Sequence, residues 1–167
     1  MRLRAGSALP AEDAIDFIVG QFRRAERECP KEIAERIVQK VHGYPFYVQK
    51  IPYAIYEVSD GDRPISESDF TSGLLSAIEE EKATFEGWLR SLAPRQIGVL
   101  RAIAGNPTDQ PYAFSYLSKH SIGNAATVRK SINKLLDLDY IERQQGVFMV
   151  TDPIFALWLT RGCGVAR

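Results

Sequence analysis

The sequence predicts a mainly α-helical fold, with a helical bundle followed by a winged helix-turn-helix domain that has a small β-hairpin wing. In the first 85 residues apolar side chains recur at three- and four-residue steps, which is the period of a helix face. After Trp88 three further helical segments precede two short β-rich runs around a Gly-containing turn. The net charge also changes sign, from −4 in residues 1–85 (11 Lys and Arg against 15 Asp and Glu) to +4 in residues 86–167 (10 against 6). We therefore predict two domains, residues 1–85 and residues 86–167.

Proline and glycine set the limits of the first two predicted helices. The first helix follows Pro10, and its apolar stripe runs to Ala25. Pro30 suits the first turn of the second helix, where its missing N–H has no intrahelical partner to lose. Gly43 follows the last apolar residue of that helix and is a natural stop.

The third and fourth helices complete the predicted bundle. An apolar pattern over residues 44–58 predicts the third helix, and we expect Pro52 to kink it because proline cannot donate a hydrogen bond to the preceding turn. Ser66, with Asp69 three residues later, resembles a capping box at the start of the fourth helix. The apolar pattern predicts that this helix continues through Phe85.

The second half follows the element order of a winged helix. Its three helices are predicted over residues 94–104, 112–120 and about 125–137. The third of these occupies the position of a recognition helix, and the hairpin that follows turns at Gln145-Gly146. Asp152 can cap a last helix with Phe155 and Leu159 inward. Phe155, Trp158 and Leu159 are interpreted as core or inter-domain packing residues.

Several sequence motifs of catalytic or metal sites are absent. The sequence contains no Gly-x-x-x-x-Gly-Lys-Ser/Thr loop to cradle phosphates, no metal-ligand spacing of Cys and His, and no Gly-x-Ser-x-Gly nucleophile turn. His42 and His120 fall in different predicted domains. The acidic run 79–81 is interpreted as a solvated helix face, because consecutive helix residues point in different directions. We predict no catalytic residues and no metal site.

Cysteine usage and hydropathy favour a cytoplasmic protein. Cys29 and Cys163 are far apart and have no Cys-x-x-Cys spacing, so two unpaired thiols are a better interpretation than a disulfide. The N-terminus has no apolar segment typical of a signal peptide, and no apolar run reaches the length of a membrane span. We therefore expect no membrane partner.

The corner from His42 to Pro45, between the second and third helices, is the most informative local feature. An aromatic residue and a proline exposed at such a corner form a flat apolar surface against which a planar base could stack. Alternatively, this is an ordinary turn between helices with Tyr44 packed inward, and from the residues alone that simpler interpretation is favoured.

The run from Val41 to Gln49 resembles a stretch in the lid of STAND-class, AAA-related P-loop ATPases, in particular the archaeal-type ATPase family. The shared pattern is Gly-Tyr-Pro-x-Tyr-x-Gln, which stands here at residues 43–49. Later segments resemble that family as well, and they are Phe85-Glu86 with Trp88-Leu89, Leu92-x-Pro94-x-Gln96 with Val99-Leu100-x-Ala102-Ile103-Ala104, and Asp152-Pro153-x-Phe155-Ala156-x-Trp158-Leu159. The resemblance spans residues 9 to 160.

This resemblance implies a nucleotide-binding core followed by a helical lid, residues 1–85, and a winged helix. The Gly-x-Pro motif of the family is similar to the one in related signalling ATPases, where the proline packs near the adenine. That role would fall on Pro45, with Gly43 shaping the turn and Tyr44 as a weaker candidate. The core itself is missing from the sequence, and residues 3–10 look like the end of its final strand. We therefore expect no cofactor for this chain alone, and ATP or ADP in the parent ATPase.

The winged helix carries a second candidate site. Lys and Arg side chains can neutralise phosphates, and Asn or Gln can reach base edges. The candidate residues for binding DNA or a partner protein are Thr127, Arg129, Lys130, Asn133, Lys134, Arg143 and Gln145. Asp137, Asp139 and Glu142 lie beside them and reduce the local charge. The sequence leaves DNA binding and protein docking open.

The predicted function is that of a non-catalytic lid and winged-helix module, which couples the nucleotide state of a P-loop core, in cis or as a separate chain, to DNA or protein binding. One alternative is a free-standing winged-helix regulator that binds double-stranded DNA. Another is a scaffold that docks a protein partner or forms a homodimer.

Overall fold

The computed structural model describes residues 8–161, which divide into two compact units between Glu81 and Lys82. The sequence predicts this boundary four residues later, between residues 85 and 86. Cys163 lies outside the described residues. So do residues 3–7, which belong to the segment that looks like the end of a core's final strand. Cys29 is buried, and burial raises the pKa of its thiol to about 11.

The first unit is a bundle of four helices. They are α1 (Ala11–Arg24), α2 (Lys31–Val41), α3 (Pro45–Val58) and α4 (Glu67–Glu80). Each predicted helix of this half is present, and α3 continues through Pro52 as one element. Helix α1 packs on α2 and α3, and α4 packs mainly on α3. The apolar stripe of α1 is buried as expected, with Ile15, Ile18 and Phe22 in the core.

The predicted capping box at the start of α4 is confirmed. The Asp69 N–H donates to the Ser66 hydroxyl at 3.3 Å, and the Ser66 N–H donates to the Asp69 carboxylate at 2.8 Å. Arg63 adds a bidentate ion pair to the same buried carboxylate, at 2.6 and 3.0 Å. The hydrogen bond from Arg63 holds the pKa of Asp69 far below its usual range against the opposing effect of burial. The start of α4 is thereby fixed to the loop before it.

The prediction of one helix from Ser66 through Phe85 is wrong. Helix α4 ends at Glu80, and a separate helix α5 spans Lys82–Arg90.

Lys50 of α3 forms ion pairs with two residues of the acidic run, with Glu80 at 3.4 Å and with Glu81. Glu79 and Glu80 are exposed, as expected for a solvated face, whereas Glu81 is half-buried. The pKa of Lys50 is raised, because its bonds to these two carboxylates outweigh burial, which lowers it.

The second unit contains the remaining elements. They are α5, α6 (Pro94–Gly105), α7 (Phe114–His120), α8 (Ala125–Asp137), β1 (Ile141–Gln144), β2 (Val147–Val150) and α9 (Pro153–Arg161). The strands pair antiparallel, with Ile141 opposite Val150 and Gln144 opposite Val147. Thr108 pairs with the other edge of β2, where the Phe148 N–H donates to its carbonyl at 2.8 Å. The sheet thus gains a third, single-residue strand that the sequence pattern did not predict.

An aromatic cluster joins the first and last helices of this unit. The ring of Phe155 in α9 lies 5.0 Å from that of Phe85 and 5.1 Å from that of Trp88, both in α5. Trp158 stacks on Phe155 with centroids 5.9 Å apart. Phe85 and Phe155 are fully buried, which confirms the inward packing expected for Phe155. This cluster makes α5 part of the winged-helix core rather than an extension of α4.

Asp152 caps α9 as predicted. Its carboxylate accepts hydrogen bonds from the N–H groups of Ile154 and Phe155, at 2.9 and 2.8 Å.

Across residues 8–161, no helix has the length and apolar character needed to cross a membrane. The same range contains no cluster of three or more His, Cys, Asp or Glu side chains placed to hold a metal ion.

Candidate functional site

The corner between α2 and α3 is built from two consecutive left-handed residues. His42 ends α2 with φ 51°, and Gly43 follows with φ 69°. Tyr44 is the N-cap of α3, and Pro45 is its first residue, where a fixed φ and a missing N–H are tolerated. Tyr44 and Pro45 are half-buried, so part of each side chain faces solvent.

Gly43 is needed because another part of the chain lies against it. The Leu9 N–H, in the segment before α1, donates to the Gly43 carbonyl at 3.0 Å. A Cβ atom at position 43 would lie 2.8 Å from the Leu9 carbonyl oxygen, closer than side chains normally approach backbone. The sequence indicated Gly43 as a helix stop; the structure adds that it admits the segment leading into α1.

The exposed apolar surface extends beyond the predicted corner along α3. Phe46 is 57% exposed and Tyr53 is 65% exposed. Lys50 lies over the Phe46 ring, 5.8 Å from its centroid. Sequence reasoning did not include Phe46 in the site, although its position directly after Pro45 was a signal. The corner is therefore one end of a partly aromatic surface rather than an isolated pair of residues.

Helix α8 has the form of a recognition helix, with one face in the core and the other in solvent. Asn124 caps it, and Thr127 is tied into that cap by three bonds of 2.9 to 3.2 Å to Asn124. The buried face is formed by Val128, Ile132 and Leu135. The side chains of Lys130, Asn133 and Lys134 are exposed and make no hydrogen bond, ion pair or ring contact with another described residue.

The other predicted partner-binding residues are held within their own unit. The Arg129 guanidinium lies 4.6 Å from the centroid of the Tyr112 ring. Arg143 in the wing donates from Nε to the Gly146 carbonyl at 3.0 Å and lies over the ring of Phe148. Both side chains are exposed, but binding a ligand through them would require exchanging these contacts.

The wing itself is short. Gln145 and Gly146 form a two-residue turn in which both residues are left-handed, with φ 49° and 91°. Gln145 is exposed at the tip. A turn of this kind matches the twist of an antiparallel pair, and it projects little beyond the strands.

Comparison with known families and structures agrees with this geometry. The family described as a probable winged helix domain matches residues 83–161. The second unit is a winged-helix domain. In it α6, α7 and α8 are the three helices, Thr108 provides the first strand position, and β1 and β2 form the wing. No curated protein matches the chain.

Most of the chain also resembles a solved structure. A Walker-type ATPase of Pyrococcus abyssi superposes with a TM-score of 0.69 at 19% sequence identity, and the match covers 91% of this chain and 42% of that one. At this identity the likeness shows the fold: a helical unit followed by a winged helix. The chain spans less than half the length of that ATPase.

Proposed function

We propose that this chain is the lid and winged-helix module of a P-loop ATPase, without catalytic activity of its own. The nucleotide-binding core would be supplied in cis or as a separate chain. The module would contact ATP or ADP bound to that core and couple the nucleotide state to the partner of the winged helix. Its own sequence provides no phosphate-binding loop, so ATP turnover is assigned to the core.

The hydrogen bond between Leu9 and Gly43 supports this proposal most directly. It holds the segment before α1 against the same corner that presents Tyr44 and Pro45. A core joined through that segment would lie next to the corner, where Pro45 and Tyr44 could contact the adenine. Gly43 would have a purely conformational role, since its Cα faces the Leu9 backbone.

Two further observations agree with the proposal. The pattern at residues 43–49 resembles the lid motif of STAND-class P-loop ATPases. The fold of both units is similar to 42% of a protein described as a Walker-type ATPase. In the proposed arrangement the unmatched part of such a protein corresponds to the nucleotide-binding core. Closure of a lid over bound nucleotide is a common way to transmit its state to a second domain.

The proposal is tested by mixing the purified chain with a purified P-loop core from the same genome. The core is taken either from the same reading frame as the chain or from a separate gene. We expect association and a change of at least about fivefold in ATP turnover, the lower end of typical coupling between sites. Pro45→Ala should reduce that effect, because it removes apolar contact with the base. Pro64→Ala, at an exposed loop position, is the matched control and should behave as wild type. Absence of association with every such core would contradict the proposal.

A second candidate function, binding of double-stranded DNA, is favoured by the free face of α8. Lys130, Asn133 and Lys134 lie within two helix turns and have no partner among the described residues. Cations at this position of a winged helix can contact phosphates while the amide reaches a base edge. Lys134→Glu should abolish binding of a duplex measured by fluorescence anisotropy, whereas an unchanged affinity would exclude this face.

A further inference from the structure

A groove on the winged-helix unit, outside all the residues assigned above except Thr127, has the properties of an anion site. It lies between α6 and the turn from α7 to α8, and its volume is about 630 Å³. Arg95 and Arg101 line one side, and His120, Asn124 and Thr127 line the other. Gly98 stands between the arginines, and a Cβ there would meet nothing within 4 Å, so the floor is open.

The charge of this groove is entirely positive. Both arginines are exposed, and neither forms a hydrogen bond, ion pair or ring contact with another residue in the described range. No Asp or Glu is among the lining residues. Each guanidinium group offers several hydrogen-bond donors in a fixed plane. Two such groups that have no ion-pair partner, on one wall of a groove, are therefore suited to bind an anionic ligand.

The start of α8, on the opposite wall, also favours an anion. The N-terminus of α8, a helix of 13 residues, opens at Asn124, and the helix dipole places partial positive charge there. The Nε2 atom of His120 is buried without a hydrogen-bond partner among the described residues. Burial, followed by the neighbouring Lys119, lowers the pKa of His120, so this ring is not counted among the cations of the groove.

The groove is continuous with the free face of α8. Thr127 lines the groove, and Lys130 and Lys134 follow it at three and seven residues, which places all three on one stripe of the helix. Arg95 and Arg101 thus line the groove, and Lys130 and Lys134 lie on the helix stripe that continues from it. The side chains of these four cations have no partner in the described chain. A ligand with regularly repeated negative charges satisfies four such cations better than a single anion does.

We propose that this groove binds backbone phosphates of double-stranded DNA and that Arg95 and Arg101 extend the contact made by α8. The proposal rests on the second candidate function. It adds a phosphate-binding wall contributed by α6, a helix that is not expected to enter a DNA groove. Arg95 and Arg101 would position the duplex and increase affinity without reading its sequence, because phosphate contacts carry no base information.

The test is the salt dependence of duplex binding. A labelled duplex of about 20 base pairs is titrated with the full chain between about 50 and 200 mM salt, where each phosphate contact contributes about 0.9 to the slope of log affinity against log salt. Arg95→Gln with Arg101→Gln should lower the slope by about 1.8 and weaken binding about tenfold or more at the lowest salt. Arg95→Lys with Arg101→Lys keeps both charges and should largely retain the slope.

The matched control is Arg90→Gln with Arg161→Gln, which removes the same charge from two exposed positions of the same unit. It should change the slope much less. A poly-glutamate peptide in a parallel titration distinguishes an acidic protein ligand from DNA. If the wild-type chain binds no duplex, both the DNA function and the groove proposal are overturned. If wild type binds but the Arg95/Arg101 glutamine variant keeps its affinity and slope, or loses only peptide binding, the groove proposal alone is overturned.

Discussion

Replacing Phe155 by alanine should lower the free energy of unfolding of the winged-helix unit by about 3–5 kcal/mol, the usual range for a fully buried phenylalanine. The side chain is 0% exposed and contacts the rings of Phe85, Trp88 and Trp158. Truncation would leave a cavity between α5 and α9 that rigid aromatic neighbours cannot fill, so the lost transfer energy and the cavity add.

The measurement can be confined to this unit. Both tryptophans of the chain, Trp88 and Trp158, belong to the cluster, so their fluorescence during urea unfolding reports on the winged helix and not on the helical bundle. Phe114→Ala is the matched control, because the same side chain is 84% exposed there and its loss should change stability by less than about 0.5 kcal/mol. Equal effects of the two substitutions would contradict the assignment of Phe155 to the core.

Replacing Gly73 by alanine should destabilise the helical bundle by about 1–3 kcal/mol, the usual effect of overpacking. A Cβ at position 73 would lie 2.5 Å from Cγ1, 2.6 Å from Cα and 2.7 Å from the backbone nitrogen of Ile55 in α3. Backbone atoms cannot move by a change of rotamer, so α3 and α4 would have to separate. Alanine is otherwise favoured over glycine in a helix by about 0.5–1 kcal/mol, and here the clash outweighs that gain.

The control for this substitution is Gly20→Ala in α1 of the same unit. A Cβ at position 20 would meet only the Arg24 side chain, at an ordinary contact distance of 3.7 Å. We expect this variant to be stabilised by about 0.5–1 kcal/mol. Amide hydrogen exchange of α3 and α4 measures the change in stability caused by each substitution. We expect Gly73→Ala to lower the stability and Gly20→Ala to raise it, and changes of the same sign would contradict the close α3–α4 contact.

Features encoded by local sequence were predicted well. The limits of α8 follow from its 3.6-residue apolar period and its Asn124 cap, and the hairpin follows from alternating residues around Gln145-Gly146. The boundary between α4 and α5 was missed for a physical reason. Neither glycine nor proline stands near Glu81, and the apolar period of α4 continues into α5, so only the separate packing of Phe85 in the second unit reveals the break.

The residues of the candidate sites also fall into two groups, those that the sequence predicts and those that depend on tertiary packing. The residues of the corner and of α8 could be selected from sequence because each set lies within one short segment. The contact of Leu9 with Gly43, the single-residue strand at Thr108 and the groove between Arg95 and Asn124 could not. Each depends on segments brought together by tertiary packing, for which a single sequence contains no local signal. Lys130 and Lys134 were identified by sequence, but Arg95 and Arg101 were recognised only when α6 was placed beside the α7–α8 turn.

The central claim, that the chain is a lid and winged-helix module acting on a P-loop core, is tested most directly by the dissociation constant of ATP from that core with and without the chain. We predict that the wild-type chain tightens ATP binding at least about fivefold and that Pro45→Ala loses most of this gain. An ATP affinity that is unchanged by the chain, or is changed equally by wild type and Pro45→Ala, would contradict the assignment of the Gly43–Pro45 corner to the nucleotide.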